Sequence, residues 1–277
     1  MIYVGTSGYS FRSWRGVFYP RRLPAGEALR YYCRHFGALE LNTSFYNDRP
    51  AAAAGRLAAG TPPGHAVAVK LHHSFTHTAR PQQTVGSRPA SPHHQALARQ
   101  VSLGQFLECL APLRAAGKLA AVLAQFPQSF VNSEPHRAHL AALAEQLAAD
   151  GLVVEFRHRS WATDSVLDWL RSLGVSYCCV DEPDLPELMP PLVAVTGPVG
   201  YVRLHGRNAA TWYRAAERQD RYDYLYTEEE LGYWVEAVRR MHAEVEQVFL
   251  FTNNCYTGKA VTNARMFQKL LQLGDNR

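Results

Sequence analysis

The sequence predicts an α/β fold, a TIM-like (β/α)8 barrel with a parallel eight-stranded sheet and long loops at its C-terminal face. Three observations point there. Eight short, nearly uninterrupted apolar runs recur along the chain, as strands covered on both faces require and half-exposed antiparallel strands do not. Most runs are followed by a segment of helical spacing, at the interval of a βα unit. Eight such units fill 277 residues, close to the ~250 typical of these barrels. A doubly wound open sheet is the alternative, but Gly5, Thr6, Ser7 and Gly8 do not complete its GxGxxG fingerprint. With no linker, repeat or low-complexity tract, a single domain over 1–277 is expected.

The elements follow in order. Residues 1–4 form a strand that runs into Gly5 to Gly8 and then an aromatic, arginine-bearing loop reaching Pro24. Helical spacing over 27–36 aligns Ala28, Leu29, Tyr32, Cys33 and Phe36 and stops at Gly37. Residues 38–41 are the next strand, and 51–59 an alanine-rich helix closed by Gly60. The third strand, 66–69, ends at Lys70. Residues 71–94, rich in His, Pro, Ser and Gln without periodicity, are long for a connection, which marks them as functional or mobile, a candidate lid.

A helix over 95–116 presents Leu103, Phe106, Leu107 and Leu110, and a strand over 119–123 leads to Gln125. After a helix over 135–149, the run Leu152, Val153, Val154 ends abruptly in Glu155, Phe156 and Arg157. Thr163 is placed to cap a helix over 163–173, and the strand 175–180 ends in Asp181. Residues 182–198 are proline-rich and receive no element. The strand ending at Leu204 and His205 precedes a second long loop, 207–227, and a helix over 228–243 whose acidic first turn suits the helix dipole. The last strand, 246–251, leads to Asn253 and Asn254, and the closing helix covers 258–273.

Composition bounds the function. Apolar residues make up 47% of the chain and charged residues 19%, enough for a large core. The net charge of +5 leans toward anionic partners, although a modest excess serves solubility equally. Cys33, Cys109, Cys178, Cys179 and Cys255 lack CxxC or zinc-ribbon spacing and read as reduced core thiols of a cytoplasmic protein. No apolar run approaches the ~18 residues of a membrane span, so no membrane partner is expected.

In a barrel the strand ends converge on the C-terminal mouth, where barrel enzymes keep their chemistry. The candidate catalytic residues are Glu155, Glu40, Asp181 and His205: carboxylates from different strands that face one another have their pKa values pushed apart, leaving an acid beside a base. The competing reading is structural ion pairing, Glu155 with Arg157 or Asp181 with Arg203. Lys70, Arg157 and Arg203, with Gln125, Asn42, Asn253, Tyr9 and Trp14, would hold a small anionic, phosphorylated or nucleotide-like substrate.

A desolvated lysine can also act as a base or form a Schiff base. No cofactor is expected. A divalent metal on Glu40, Glu155, Asp181 and His205 stays open, although HxH and HExxH spacings are lacking and the arginines would repel a cation. Aromatics mixed with arginine in the loops, among them Tyr9, Phe11, Trp14, Trp212 and Tyr222, make a nucleic-acid-binding module the alternative to an enzyme, and a non-catalytic ligand sensor a third reading. Residue types alone do not separate hydrolase, lyase and isomerase.

The segments GTSGYSFRSWRGVFYP, YYCRHFGALELNTSFY, AVKLHHSFTH, LAQFPQSF, VEFRHRSW, YVRLHGR and FTNNCYTGKAVTNA resemble the domain-of-unknown-function 72 family, in that family's order and over nearly the whole chain. Tyr9 stands where the family often has Trp, a mild departure. The resemblance implies a TIM-like barrel and supplies no reaction.

Overall fold

In the computed structural model, which describes residues 1–45, 51–77, 101–214 and 218–273, eight parallel strands close into a barrel in chain order. They are β1 (Ile2–Ser7), β2 (Ala38–Leu41), β3 (Ala66–Lys70), β4 (Leu119–Gln125), β5 (Leu152–Glu155), β6 (Ser176–Asp181), β7 (Val199–Leu204) and β8 (Gln247–Thr252). The described helices are α1 (Ala28–Cys33), α2 (Ala51–Gly60), α3 (His73–Thr76), α4 (Leu103–Ala115), α5 (Glu134–Gln146), α6 (Asp164–Ser172), α7 (Glu228–Glu244) and α8 (Lys259–Leu270). The fold is thus the TIM (β/α)8 class. Closure comes where β1 pairs with β8 as well as β2, and at that seam Gly5 is obligatory: a Cβ there would lie 2.1 Å from the Ala38 carbonyl oxygen.

Caps fix the helix boundaries. Ser102 and Gln105 form a reciprocal capping box that starts α4 at Leu103, so Val101 and Ser102 lie outside the helix that apolar spacing extended back to 95. Residues 95–100 of that expectation lie outside the described residues, as does most of the candidate lid, 78–94. The described start of that connection is not all loop, because α3 forms with the His72 side chain accepting from the Ser74 amide. Thr227 and Glu230 form a second box at α7, and the Thr163 hydroxyl caps α6.

Residues 182–198 carry no helix, so the β6–β7 connection departs from the βα alternation. Pro183, Pro186, Pro190, Pro191 and Pro198 remove backbone donors that a helix would need.

Phe106, Leu110, Leu170, Trp234 and Phe267 turn the helix faces onto the sheet and are fully buried. All five cysteines are free thiols; burial pushes those of Cys33, Cys109, Cys179 and Cys255 up to about 12. Among the described residues no helix is long and apolar enough to cross a membrane.

The strand period of two decides which polar groups reach the barrel axis. In β7 and its extension, Tyr201, Arg203 and His205 share the inner face, whereas in β6 Asp181 falls on the outer one, against Trp234 of α7. The same alternation beyond β8 sends Asn253 inward to His205 and Asn254 outward to Asn263 of α8.

Candidate functional site

A cavity of about 870 Å³ opens at the C-terminal mouth. The strand ends contribute Ser7, Glu40, Asn42, Lys70, Gln125, Arg203 and Asn253, while Tyr9, Phe11, Arg56, Tyr222 and Tyr256 come from the surrounding loops and α2. Seven of the candidate catalytic and substrate-binding residues therefore line one space: Tyr9, Glu40, Asn42, Lys70, Gln125, Arg203 and Asn253.

A buried charge network crosses the barrel at this level. Arg203 donates through Nη1 to Glu155, and through Nη2 to Glu40 Oε1 at 2.7 Å and Ser7 Oγ at 3.3 Å, joining β7 to β5, β2 and β1. The Tyr201 hydroxyl donates to the other Glu40 oxygen at 2.7 Å. Arg157 donates to Glu155 Oε1 at 2.5 Å and to Glu182 Oε2 at 2.8 Å. Each guanidinium bridges two carboxylates, which is how buried charge of both signs is tolerated. Burial alone would raise the Glu155 pKa, but Arg157, Arg203 and His205 outweigh it and hold the carboxyl well below its ordinary range.

Glu155 is fully buried with both oxygens occupied, the setting of a fixed anion and not of a proton acceptor. His205 is depressed to about 3, first by burial and then by Arg157, so it stays neutral at physiological pH. Asn253 Nδ2 donates to its Nδ1 at 2.8 Å, which orients the ring.

Lys70 differs from these groups. It ends β3, where the register opposite Leu123 of β4 sets it beside Gln125 on the same face. Its Nζ donates to Gln125 Oε1 at 2.6 Å and lies 4.1 Å from the centre of the Phe45 ring. It makes no ion pair with a carboxylate among the described residues. Burial, then the Arg203 charge, lower its pKa to about 7, with Glu155 and Glu40 opposing. Two further polar atoms of cavity residues, Asn42 Oδ1 and Arg203 Nε, are buried without a hydrogen-bond partner among the described residues.

Three expectations need correction. Asp181 does not face the other carboxylates: its oxygens accept from Arg207 at 2.6 and 2.8 Å, Tyr226 at 2.8 Å and Trp234 at 2.6 Å, all on the helix side of the sheet. Its ionic partner is accordingly Arg207 and not Arg203. Trp14 is fully buried among Phe11, Phe18 and Tyr19 and donates to the Cys255 carbonyl, so it braces the loop after β1 without lining the cavity.

Glu155, Arg157 and His205 belong to the network beneath the cavity and are not part of its lining. Sequence reasoning passed over Arg56, Glu182, Tyr256 and Thr257. Arg56 sits in an alanine-rich helix away from any strand end, and only Glu182, next to Asp181, carried a positional signal. Among the described residues no three His, Cys, Asp or Glu side chains group as metal ligands, and Glu40 and Glu155 each face Arg203.

Fold and site together define a (β/α)8-barrel protein with a charged cavity at the C-terminal mouth. The chain belongs to the family described as protein of unknown function DUF72, whose model matches residues 3–277. It is 28% identical to the UPF0759 protein YunF of Bacillus subtilis (strain 168), over 99% of this chain and 95% of that protein. A DUF72 family protein of Thermotoga maritima MSB8 superposes with a TM-score of 0.84 at 36% identity, covering 98% of this chain and 99% of that one. One from Enterococcus faecalis V583 gives a TM-score of 0.82 at 27% identity, over 99% and 96% of the two chains. None of these descriptions states a reaction or a ligand.

Proposed function

We infer that the protein is an enzyme that binds a small anionic substrate in the mouth cavity and transfers a proton through Lys70. The observation that carries this reading is the setting of Lys70: a buried cation lining a substrate-sized cavity, held by a neutral amide, with its pKa lowered to about 7. At neutral pH such a group is available both as amine base and as ammonium acid, the condition under which general catalysis is most effective. Arg56, which makes no ion pair among the described residues, adds positive charge to the cavity lining. Tyr9, Phe11, Tyr222 and Tyr256 offer ring faces to the body of the substrate.

The proton-transfer role expected of Glu155 thereby passes to Lys70, and Glu155, Glu40, Arg203 and Arg157 become fixed charges that set the potential. Proton transfer by a side chain is a step open to hydrolases, lyases and isomerases alike. The five unpaired cysteines support a cytoplasmic setting, and the closure of all eight strands around one mouth supports one domain over 1–277.

A thermal-shift screen of phosphorylated and carboxylated metabolites tests the reading. At least one anion should raise the melting temperature of the wild type, and the shift should vanish in a folded Lys70→Met variant. Equal shifts in both proteins would refute it.

A further inference from the structure

We propose that Lys70 acts covalently, forming a Schiff base with a small aldehyde or ketone that carries a carboxylate or phosphate group. The inference rests on the anionic-substrate reading above and narrows it to carbonyl compounds.

Three features of the site converge on this chemistry. First, of the four lysines in the sequence, only Lys70 lines the mouth cavity. Lys118 donates to the Ala58 and Thr61 carbonyls, Lys259 pairs with Asp223, and Lys269 is 77% exposed beside Glu228. Second, the Lys70 nitrogen is held by Gln125 Oε1, a neutral acceptor, and among the described residues no carboxylate pairs with it to fix it as ammonium. Its low pKa leaves a large neutral fraction at physiological pH, the state whose lone pair attacks a carbonyl.

Third, the charges of Glu40 and Glu155 favour a cation at the Lys70 nitrogen, and a protonated imine carries one there.

The step balances without an oxidant or reductant. The neutral Lys70 amine forms a bond to the carbonyl carbon while the C=O π pair moves to oxygen. The nitrogen loses a proton and the oxygen gains one, giving the carbinolamine. The nitrogen lone pair then expels the hydroxyl, which leaves as water after taking one proton from solvent, and a protonated imine remains. The sum is amine, carbonyl and one proton giving iminium and one water. The iminium is an electron sink that labilises a bond at the adjacent carbon.

The test is reductive trapping. Wild-type protein is incubated separately with pyruvate and with dihydroxyacetone phosphate, treated with sodium cyanoborohydride, and analysed by intact mass and peptide mapping. The expected result is one adduct per chain with at least one probe, equal in mass to that probe less one oxygen atom and located on Lys70. The two probes report whether a carboxylate or a phosphate is preferred.

No adduct with either probe, or adducts confined to the amino terminus, Lys118, Lys259 or Lys269, would overturn the proposal. Mapping the wild-type chain makes the result independent of whether a Lys70 variant folds. A metabolite shift in the thermal screen that depends on Lys70, without a trapped adduct, would reject the Schiff base and leave the anionic-substrate reading standing. Loss of both would reject both.

Discussion

Replacing Lys70 with methionine removes a charge that folding must bury, so the variant should gain stability where the wild type carries the ammonium. The lysine pKa falls from an ordinary 10.5 to about 7 in the fold. Between those values the unfolded chain binds a proton that the folded chain does not, so this group's contribution to stability rises with pH and is lost as pH falls through about 7. At about 1.4 kcal/mol per pH unit, the interval from pH 7 to pH 9 amounts to about 3 kcal/mol.

Methionine also forfeits the Gln125 hydrogen bond and the Phe45 contact, but that loss shifts the comparison by a nearly constant amount. The raised thiol pKa values of the cysteines lower stability at alkaline pH in both proteins and cancel in the difference. Urea unfolding followed by circular dichroism at about pH 6, 7.5 and 9 measures that difference. The stability of Lys70→Met relative to wild type should fall by about 3 kcal/mol from the lowest pH to the highest. A difference that stays constant across the range would show that Lys70 titrates normally and would refute the reasoning.

Three further outcomes follow from the same geometry. Glu155→Gln leaves Arg157 and Arg203 undercompensated in a buried setting and should cost about 3–5 kcal/mol in urea unfolding, whereas a catalytic carboxylate outside the network would lose turnover at unchanged stability. Asp181→Asn should destabilise by about 2–4 kcal/mol through its lost pairing with Arg207, yet leave anion affinity within about twofold, because Asp181 lies outside the barrel wall. Gln125→Leu removes the acceptor that favours the charged amine, so the Lys70 midpoint in a side-chain nitrogen NMR titration should fall further below its ordinary value, and a rise would contradict the assigned contact.

Much of the fold was legible because each strand is a short apolar run and its helix a 3.6-residue pattern, both set by local sequence. The site was legible in part. Listing the polar residues at strand ends found Glu40, Lys70, Gln125 and Arg203, but it also took in Asp181, because closeness to a strand end does not say which face of the sheet a side chain leaves from.

Counting alternation from Cys178, which lies 3.9 Å from Glu155, would have put Asp181 on the outer face and Val180 on the inner one. Trp14 misled for a different reason: a large aromatic in an arginine-rich loop fills space under the loop as readily as it meets a ligand, and burial decides between them. Arg56 left no local trace, since its place at the cavity depends on how α2 packs and not on its neighbours in sequence. The division of labour proposed for Glu155 and Lys70 is likewise tertiary. It is set by which carboxylates can be reached by Arg157, just beyond β5, and by Arg203 of β7.

Calorimetric titration with inorganic phosphate at about pH 6 and pH 8.5 tests the central claim most directly, namely that the mouth cavity is an anion site whose charge is switched by Lys70. Wild-type protein should bind phosphate at the lower pH and lose about tenfold or more in affinity at the higher one as the ammonium deprotonates, and Lys70→Met should bind weakly at both. Equal phosphate affinity in wild type and Lys70→Met at pH 6 would contradict the account.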